Sequence, residues 1–316
     1  MLVKLYRNFI PEILRTKIYN LFLKQVLSFC RAPLFSLQKI FLKTLINSYY
    51  KRHNQYLDDE YAQAVKFIND NGLQTFLSNF IFKYKKINVN VFFSEERKMN
   101  YVIHEGKKLF FPIFFTKSQI RGYYVSLLLE QDEKSPHCYT HGSHHLYEGD
   151  VLFDIGTAEG IFTLSHIDRI SHAYLFEYDS EWIGALEATF EPWKDKVTIV
   201  KALVSDKIAE SSITLDSFIQ ENSITKVDFI KMDIEGWEIP TLSASVFFLG
   251  SLTNIRLSIC CYHRVSDEIT IKNILASLGF VCQTSEGYML VRDIDKQILH
   301  APYLKRGLIY AYKDSL

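Results

Sequence analysis

A chain of 316 residues with 48% hydrophobic and 15% aromatic content has enough apolar side chain for a sizeable core, which excludes a disordered chain. Thirty-six Lys and Arg balance 36 Asp and Glu, so no chain-wide cationic field points to nucleic acid. Five cysteines, an odd number without CxxC spacing, exclude a disulfide framework and a zinc knuckle and are read as reduced thiols.

The charge is nevertheless uneven, because residues 1–52 hold ten Lys or Arg against one acid, Glu12. Leu2, Leu5, Phe9, Ile13 and Ile18 recur at helical spacing, so residues 1–30 are predicted as amphipathic helix, with Pro11 opening a second segment. Lys17, Lys24, Arg31, Lys39 and Lys43 interrupt every apolar run, which argues against a membrane span, and Arg7, Pro11 and Glu12 argue against a signal peptide. The expected location is cytoplasmic. Packing with a solvated cationic face is the plain reading of residues 1–52. Peripheral contact with the anionic inner membrane surface is the sharper one, since each Lys or Arg near such lipid adds about 1 kcal/mol.

Pro33 predicts a break, after which helix resumes to Tyr49; Asp58, Asp59 and Glu60 open a further helix through Ile68 that ends at Asn71-Gly72. Residues 87–93 are predicted as a strand, residues 101–111 as a hairpin folded at His104-Glu105-Gly106-Lys107, and residues 120–129 as a helix. A turn-rich connector with four histidines, residues 135–149, then leads into a second domain, giving the expected division 1–134 and 135–316. From Asp150 the pattern alternates: strands at 151–155, 173–176, 197–203, 227–232, 255–261 and 280–284, with helices from Glu159, at 179–190, at 215–220, after Glu235 and at 267–278. Such alternation predicts a doubly wound α/β domain with a parallel sheet covered on both faces. Residues 288–291 and 308–312 are two further strands, and the pattern does not decide which of them closes the sheet antiparallel.

In an open parallel sheet, ligands sit beyond the carboxyl ends of the strands. The first such end is Asp154-Ile155-Gly156-Thr157-Ala158-Glu159-Gly160, where Gly156 admits close approach of a ligand and Gly160 lets the helix start against the sheet. A dinucleotide site wants a third glycine and a helix start open to pyrophosphate; Ala158 and Ile161 break that spacing, and Glu159 repels the anion. A phosphate-free cofactor with an ammonium and a sulfonium, S-adenosylmethionine, suits Asp154 and Glu159 better. Glu177 follows the second strand, 23 residues after Asp154, where the ribose hydroxyls of a bound nucleoside are held. Ser205 and Asp206, at the third end, are placed to meet an adenine amino group, although Ser-Asp is also ordinary turn chemistry. At the fourth, Lys231 and Asp233 point the same way on a buried strand, so they are paired or line the site, with Asp233 and Glu235 at the crevice mouth.

Asp154 to Gly160, Phe176-Glu177-Tyr178-Asp179, Ile213-Thr214-Leu215-Asp216 and Lys231-Met232-Asp233-Ile234-Glu235-Gly236 together resemble the FkbM family of methyltransferases, over roughly residues 135–313. The resemblance implies a class I methyltransferase fold, Rossmann-like and mostly parallel, and methyl transfer from S-adenosylmethionine. The usual acceptor it implies is a hydroxyl oxygen of a sugar, glycan or natural product. It implies nothing for the first 130 residues.

In-line displacement from a sulfonium gains about 7 to 11 kcal/mol from proximity, and a positioned proton acceptor adds on the order of 10² to 10⁴ in rate. His263, after the fifth strand, is the first expected base and Asp233 the second, with Glu235 beside them. The expected cofactor contacts are Asp154, Gly156, Glu159, Gly160, Glu177, Ser205, Asp206 and Asp233. His137, His141, His144 and His145 with Cys138 read as a structural or lid segment, with Ser135-Pro136-His137 folding over the cofactor. No metal site is assigned, and a divalent cation at Asp233 and Glu235 is left open. Two other classes stay in play: a nucleotide-cofactor oxidoreductase and a non-catalytic membrane-surface adaptor.

Overall fold

The structure, a computed structural model, describes residues 24–293, 299 and 301–314, with side chains from residue 39 onward. Helix α1 (Lys24–His53) continues through the break expected at Pro33; the ring removes one backbone donor without ending the helix. The amphipathic helix expected at the start falls mostly on residues 1–23, outside the described residues, and no described helix is long and apolar enough to cross a membrane. Helix α2 (Asp59–Asn71) has the predicted ends: the Asp58 side chain accepts from the Tyr61 amide, and Gly72 closes it with φ +83°. Tyr61, Val65 and Ile68 pack with Ile46 of α1 and with Leu304.

Strands β1 (Phe92–Ser94), β2 (Met99–His104) and β3 (Lys107–Phe110) form a small antiparallel sheet, so the strand expected over 87–93 is reduced to its end. The expected hairpin turns on Glu105 and Gly106, both with positive φ, which matches the right-handed twist of the two strands it joins. Helix α3 (Lys117–Glu130) opens with a capping box between Thr116 and Gln119.

The second half builds β4 (Val151–Ile155), α4 (Ile161–His166), β5 (His172–Phe176), α5 (Ser180–Phe190) and β6 (Val197–Val200). The strand expected over 197–203 splits here, because β7 (Leu203–Val204) leaves the sheet to pair with β8 (Ser212–Ile213). There follow α6 (Leu215–Glu221), β9 (Phe229–Met232), α7 (Glu238–Ala244), α8 (Val246–Ser251), β10 (Ile255–Cys260), α9 (Asp267–Ser277), β11 (Val281–Thr284) and β12 (Leu308–Lys313). The sheet order is β11-β12-β10-β9-β4-β5-β6. From β10 to β6 the strands run parallel, and β12 lies antiparallel to both β10 and β11. Residues 308–313 are therefore the antiparallel strand. The strand expected at 288–291 is only an isolated pairing of Met289 with Phe76 and Lys305.

The chain winds outward from β4 to β6 and then returns to β9 on the other side of β4, so the order reverses between β4 and β9 and a crevice opens there. Alternation along the strands feeds two cores: Leu152 and Phe229 face one, while Phe153, Ile155, Ile230 and Met232 face the other. The first core also takes in Val102, Leu109, Phe111 and Ile120. The boundary expected at 134/135 thus falls within a shared core, and α3 is held against the sheet beside the crevice.

Candidate functional site

A cavity of about 650 Å³ opens at the order reversal, walled by α3 and by the carboxyl ends of β4, β5 and β9. Gly156 forms one edge of it. With φ +75°, a Cβ there would meet the Asp233 carbonyl oxygen at 1.8 Å, so glycine alone lets the tips of β4 and β9 come this close. Gly160 serves packing instead, since its Cβ would lie 2.7 Å from Phe190. The Glu177 carboxylate accepts the Ala158 and Asp179 amides, each at 2.7 Å, and so ties the glycine turn to the tip of β5. Glu159 is buried, accepts from the Tyr123 hydroxyl at 3.0 Å, and has its carboxyl pushed up to about 7 by that burial.

On the other side stands Asp233. The Tyr139 hydroxyl donates to its Oδ2 at 2.9 Å, the Tyr262 hydroxyl lies 3.5 Å from each oxygen, and His137 and His263 each approach to 3.5 Å. Burial would push this carboxyl up, but the His137 contact and the charges of His263, His137 and Lys231 hold it far below the usual carboxylate range. Behind it, in cross-strand register, Lys231 Nζ stands 3.0 Å from Asp154 Oδ1 and also donates to the Gly156 carbonyl, while the Thr163 hydroxyl donates to Asp154 Oδ2 at 2.6 Å. Burial would discharge Lys231, yet Asp154 and Asp233 raise its pKa and keep it an ammonium.

Of the residues expected to hold a cofactor, the fold brings Gly156, Glu159, Glu177 and Asp233 to the cavity, with Glu235 at its exposed rim. Asp154 is 1% exposed and sits behind the wall as the counter-ion of Lys231, so it acts on the site only through that lysine. Ser205 and Asp206 lie beyond the lining, which ends at Val204, because the chain turns away into β7 and Ser205 is taken up by the Lys207 backbone.

His263, the first expected base, stands apart from the cavity. It is 4% exposed, 3.2 Å from Glu238 Oε1, and outside the cavity lining. Burial would lower its pKa, but Glu238, Asp233 and Glu235 raise it to about 9, which favours the imidazolium and makes it a poor proton acceptor. Asp233, so strongly held as an anion, is a weak proton acceptor as well. Of the four histidines in the connector, His137 lines the cavity; His144 bonds Ser258 and His145 the Gly142 carbonyl. Spacing gives no sign of Tyr123, Glu130, Tyr139 or Trp182, which with Tyr262 complete the walls from four separate stretches of chain.

Residues 151–282 match the model of a family described as the methyltransferase FkbM domain. Over this stretch, less than half of its length, the chain is similar to that family. Its sheet, with the doubly wound order and one antiparallel strand between the fifth and sixth, is the class I methyltransferase fold. Among solved structures it is similar to methyltransferase FkbM from Methylobacillus flagellatus KT, at 16% identity and a TM-score of 0.41, over 61% of this chain and 52% of that one. The match thus spans about half the length of that relative. It is also similar to Trm5b from Pyrococcus abyssi, at 12% identity and a TM-score of 0.40, over 72% of this chain and 63% of that one. A third is an rRNA methylase from Streptococcus thermophilus, at 15% identity and a TM-score of 0.37, over 54% of this chain and 90% of that one. None of the curated proteins compared matches the chain.

Proposed function

We propose that the chain binds S-adenosylmethionine in the crevice between β4 and β9 and transfers its methyl group to a hydroxyl oxygen of a sugar, glycan or natural product. The charge of the cavity carries the reading. Six acids line it, Glu130, Glu159, Glu177, Asp179, Asp233 and Glu235, against a single lysine that Asp154 neutralises. A pyrophosphate would be repelled by such a wall, whereas a cofactor bearing an ammonium and a sulfonium is attracted. That also counts against the nucleotide-cofactor oxidoreductase.

Glu177, fixed by one backbone amide on each oxygen, keeps a further lone pair on each to accept the ribose hydroxyls, and Glu159 is the buried acid for the ammonium. When bound, the sulfonium supplies an electrophilic methyl group. The chain's own share is to close α3 over the pair, to hold the acceptor oxygen in line, and to exclude water; positioning of this kind is worth about 7 to 11 kcal/mol. Glu130, part-buried in the wall with its carboxyl pushed up by desolvation, accepts the hydroxyl proton better than Asp233 or His263 can. Trp237 and Tyr178 stand half-exposed at the mouth and offer ring faces to cofactor or acceptor.

Calorimetric titration with S-adenosylmethionine and, separately, with NAD tests the cofactor: binding of the first and not the second is expected, and the reverse ends the proposal. Labelled methyl transfer to extracted glycans and small molecules tests the acceptor. A hydroxyl acceptor gives a base-stable methyl ether; a base-labile methyl ester would mean a carboxyl acceptor instead.

A further inference from the structure

We propose that His137 Nε2, Asp233 Oδ2 and Cys260 Sγ form a binding site for a divalent transition metal of the zinc type in the wall of the cavity. The three residues arrive from the connector, from the turn after β9 and from the end of β10, and their donor atoms all lie within 4.8 Å of one another. His137 Nε2 is 3.5 Å from Asp233 Oδ2 and 3.7 Å from Cys260 Sγ. A tetrahedral zinc ion, with bonds of about 2.0 to 2.2 Å to nitrogen and oxygen and about 2.3 Å to sulfur, sets its ligands about 3.4 Å apart for N and O and about 3.6 Å apart for N and S. His137 Nε2 already stands at about that spacing from both of its partners.

The mix of imidazole, carboxylate and sulfur selects zinc or its neighbours in the first transition row over magnesium or calcium, which take oxygen ligands. Tyr139, donating to Asp233 Oδ2, fixes the carboxylate as an outer-shell partner does. The Tyr262 hydroxyl, 3.0 Å from His137 Nε2 and 3.5 Å from each Asp233 oxygen, marks the fourth corner, next to the cavity. His137 and Asp233 both line the cavity, so the ion has a path in. A second cluster of Asp233, Glu238 and His263 shares Asp233 with the first but holds no sulfur ligand, so a thiolate band distinguishes the two.

This inference does not rest on the methyl-transfer reading, because metal binding is read without cofactor. The full chain, stripped with a chelator and dialysed against Co(II), is expected to take up one ion and to show a thiolate-to-cobalt charge-transfer band together with strong visible bands of a tetrahedral ion. Cys260→Ser should remove the charge-transfer band, and Cys261→Ser and His145→Ala should keep it. His137→Gln and Asp233→Asn should each weaken Zn(II) binding at least tenfold, and they keep the test alive should Cys260→Ser fail to fold. No cobalt bound above the stripped blank, or a charge-transfer band that survives Cys260→Ser, overturns the site. Metal uptake without S-adenosylmethionine binding would sink the proposed function and leave this site standing; cofactor binding without metal uptake does the opposite.

Discussion

Glu159 and Asp233 face each other across one cavity, and burial pushes both carboxyls up. Glu159 meets a single hydroxyl donor, Tyr123, and rises to about 7. Asp233 meets two tyrosine hydroxyls, two histidines and the nearby Lys231, and falls far below its usual range. The more exposed of the two, Asp233, is the one held lower, so partners and not depth alone decide the charge. The glycine-turn side keeps an acid ready for a cation, while the β9 side has an acid already committed to its neighbours.

The largest expected effect lies beneath the β9 side. Lys231→Met leaves Asp154 charged in the core and should cost about 3 to 5 kcal/mol in urea unfolding. Adding Asp154→Asn should restore part of it, and a double variant no more stable than the single would show that the pair is not the cause. Gly156→Ala comes next. The contact with the Asp233 carbonyl and the positive φ should cost about 3 kcal/mol, against about 1 kcal/mol for Gly106→Ala, which has positive φ but open space around it. Equal losses of thermal stability at the two positions would mean that β4 and β9 do not need their close approach.

Smaller effects sharpen the contrast from the ligand's side. Glu177→Ala should weaken S-adenosylmethionine binding by about 1 to 3 kcal/mol in calorimetry, through lost ribose contacts and two amides left without their acceptor. Glu159 governs the smallest. It is protonated below about 7 and ionised above, and an ammonium favours the ionised form, so cofactor affinity should rise as pH is raised through about 7, by up to about tenfold per unit. Glu159→Gln should flatten that rise; a slope unchanged in the variant would place the titrating acid elsewhere.

Much of this was legible before any fold was known. Asp58, Gly72 and the Glu105-Gly106 turn mark their element ends by local chemistry, and β4, β5 and α5 fall where apolar runs and the Asp179 cap put them. Pro33 misled, because a helix can spare one donor when the rest of its ladder stands. Residues 288–291 misled for another reason: their apolar side chains pack on α1 and α2 through Tyr288 and Leu290, so burial there needs no sheet.

The sequence by itself determined the doubly wound order of elements, the glycine turn and the acids at the strand tips, because each depends on neighbours a few residues away. Only the tertiary structure decided what those acids do. Asp154 became a counter-ion because register sets it opposite Lys231, and His263 became a fixed cation because three acids from the turn after β9 and from α7 surround it. Tyr139, Tyr262, His137 and Cys260 meet at Asp233 from positions up to 125 residues apart. Charge state follows from distances of a few ångströms, and those distances are fixed by packing between segments that sequence spacing does not relate.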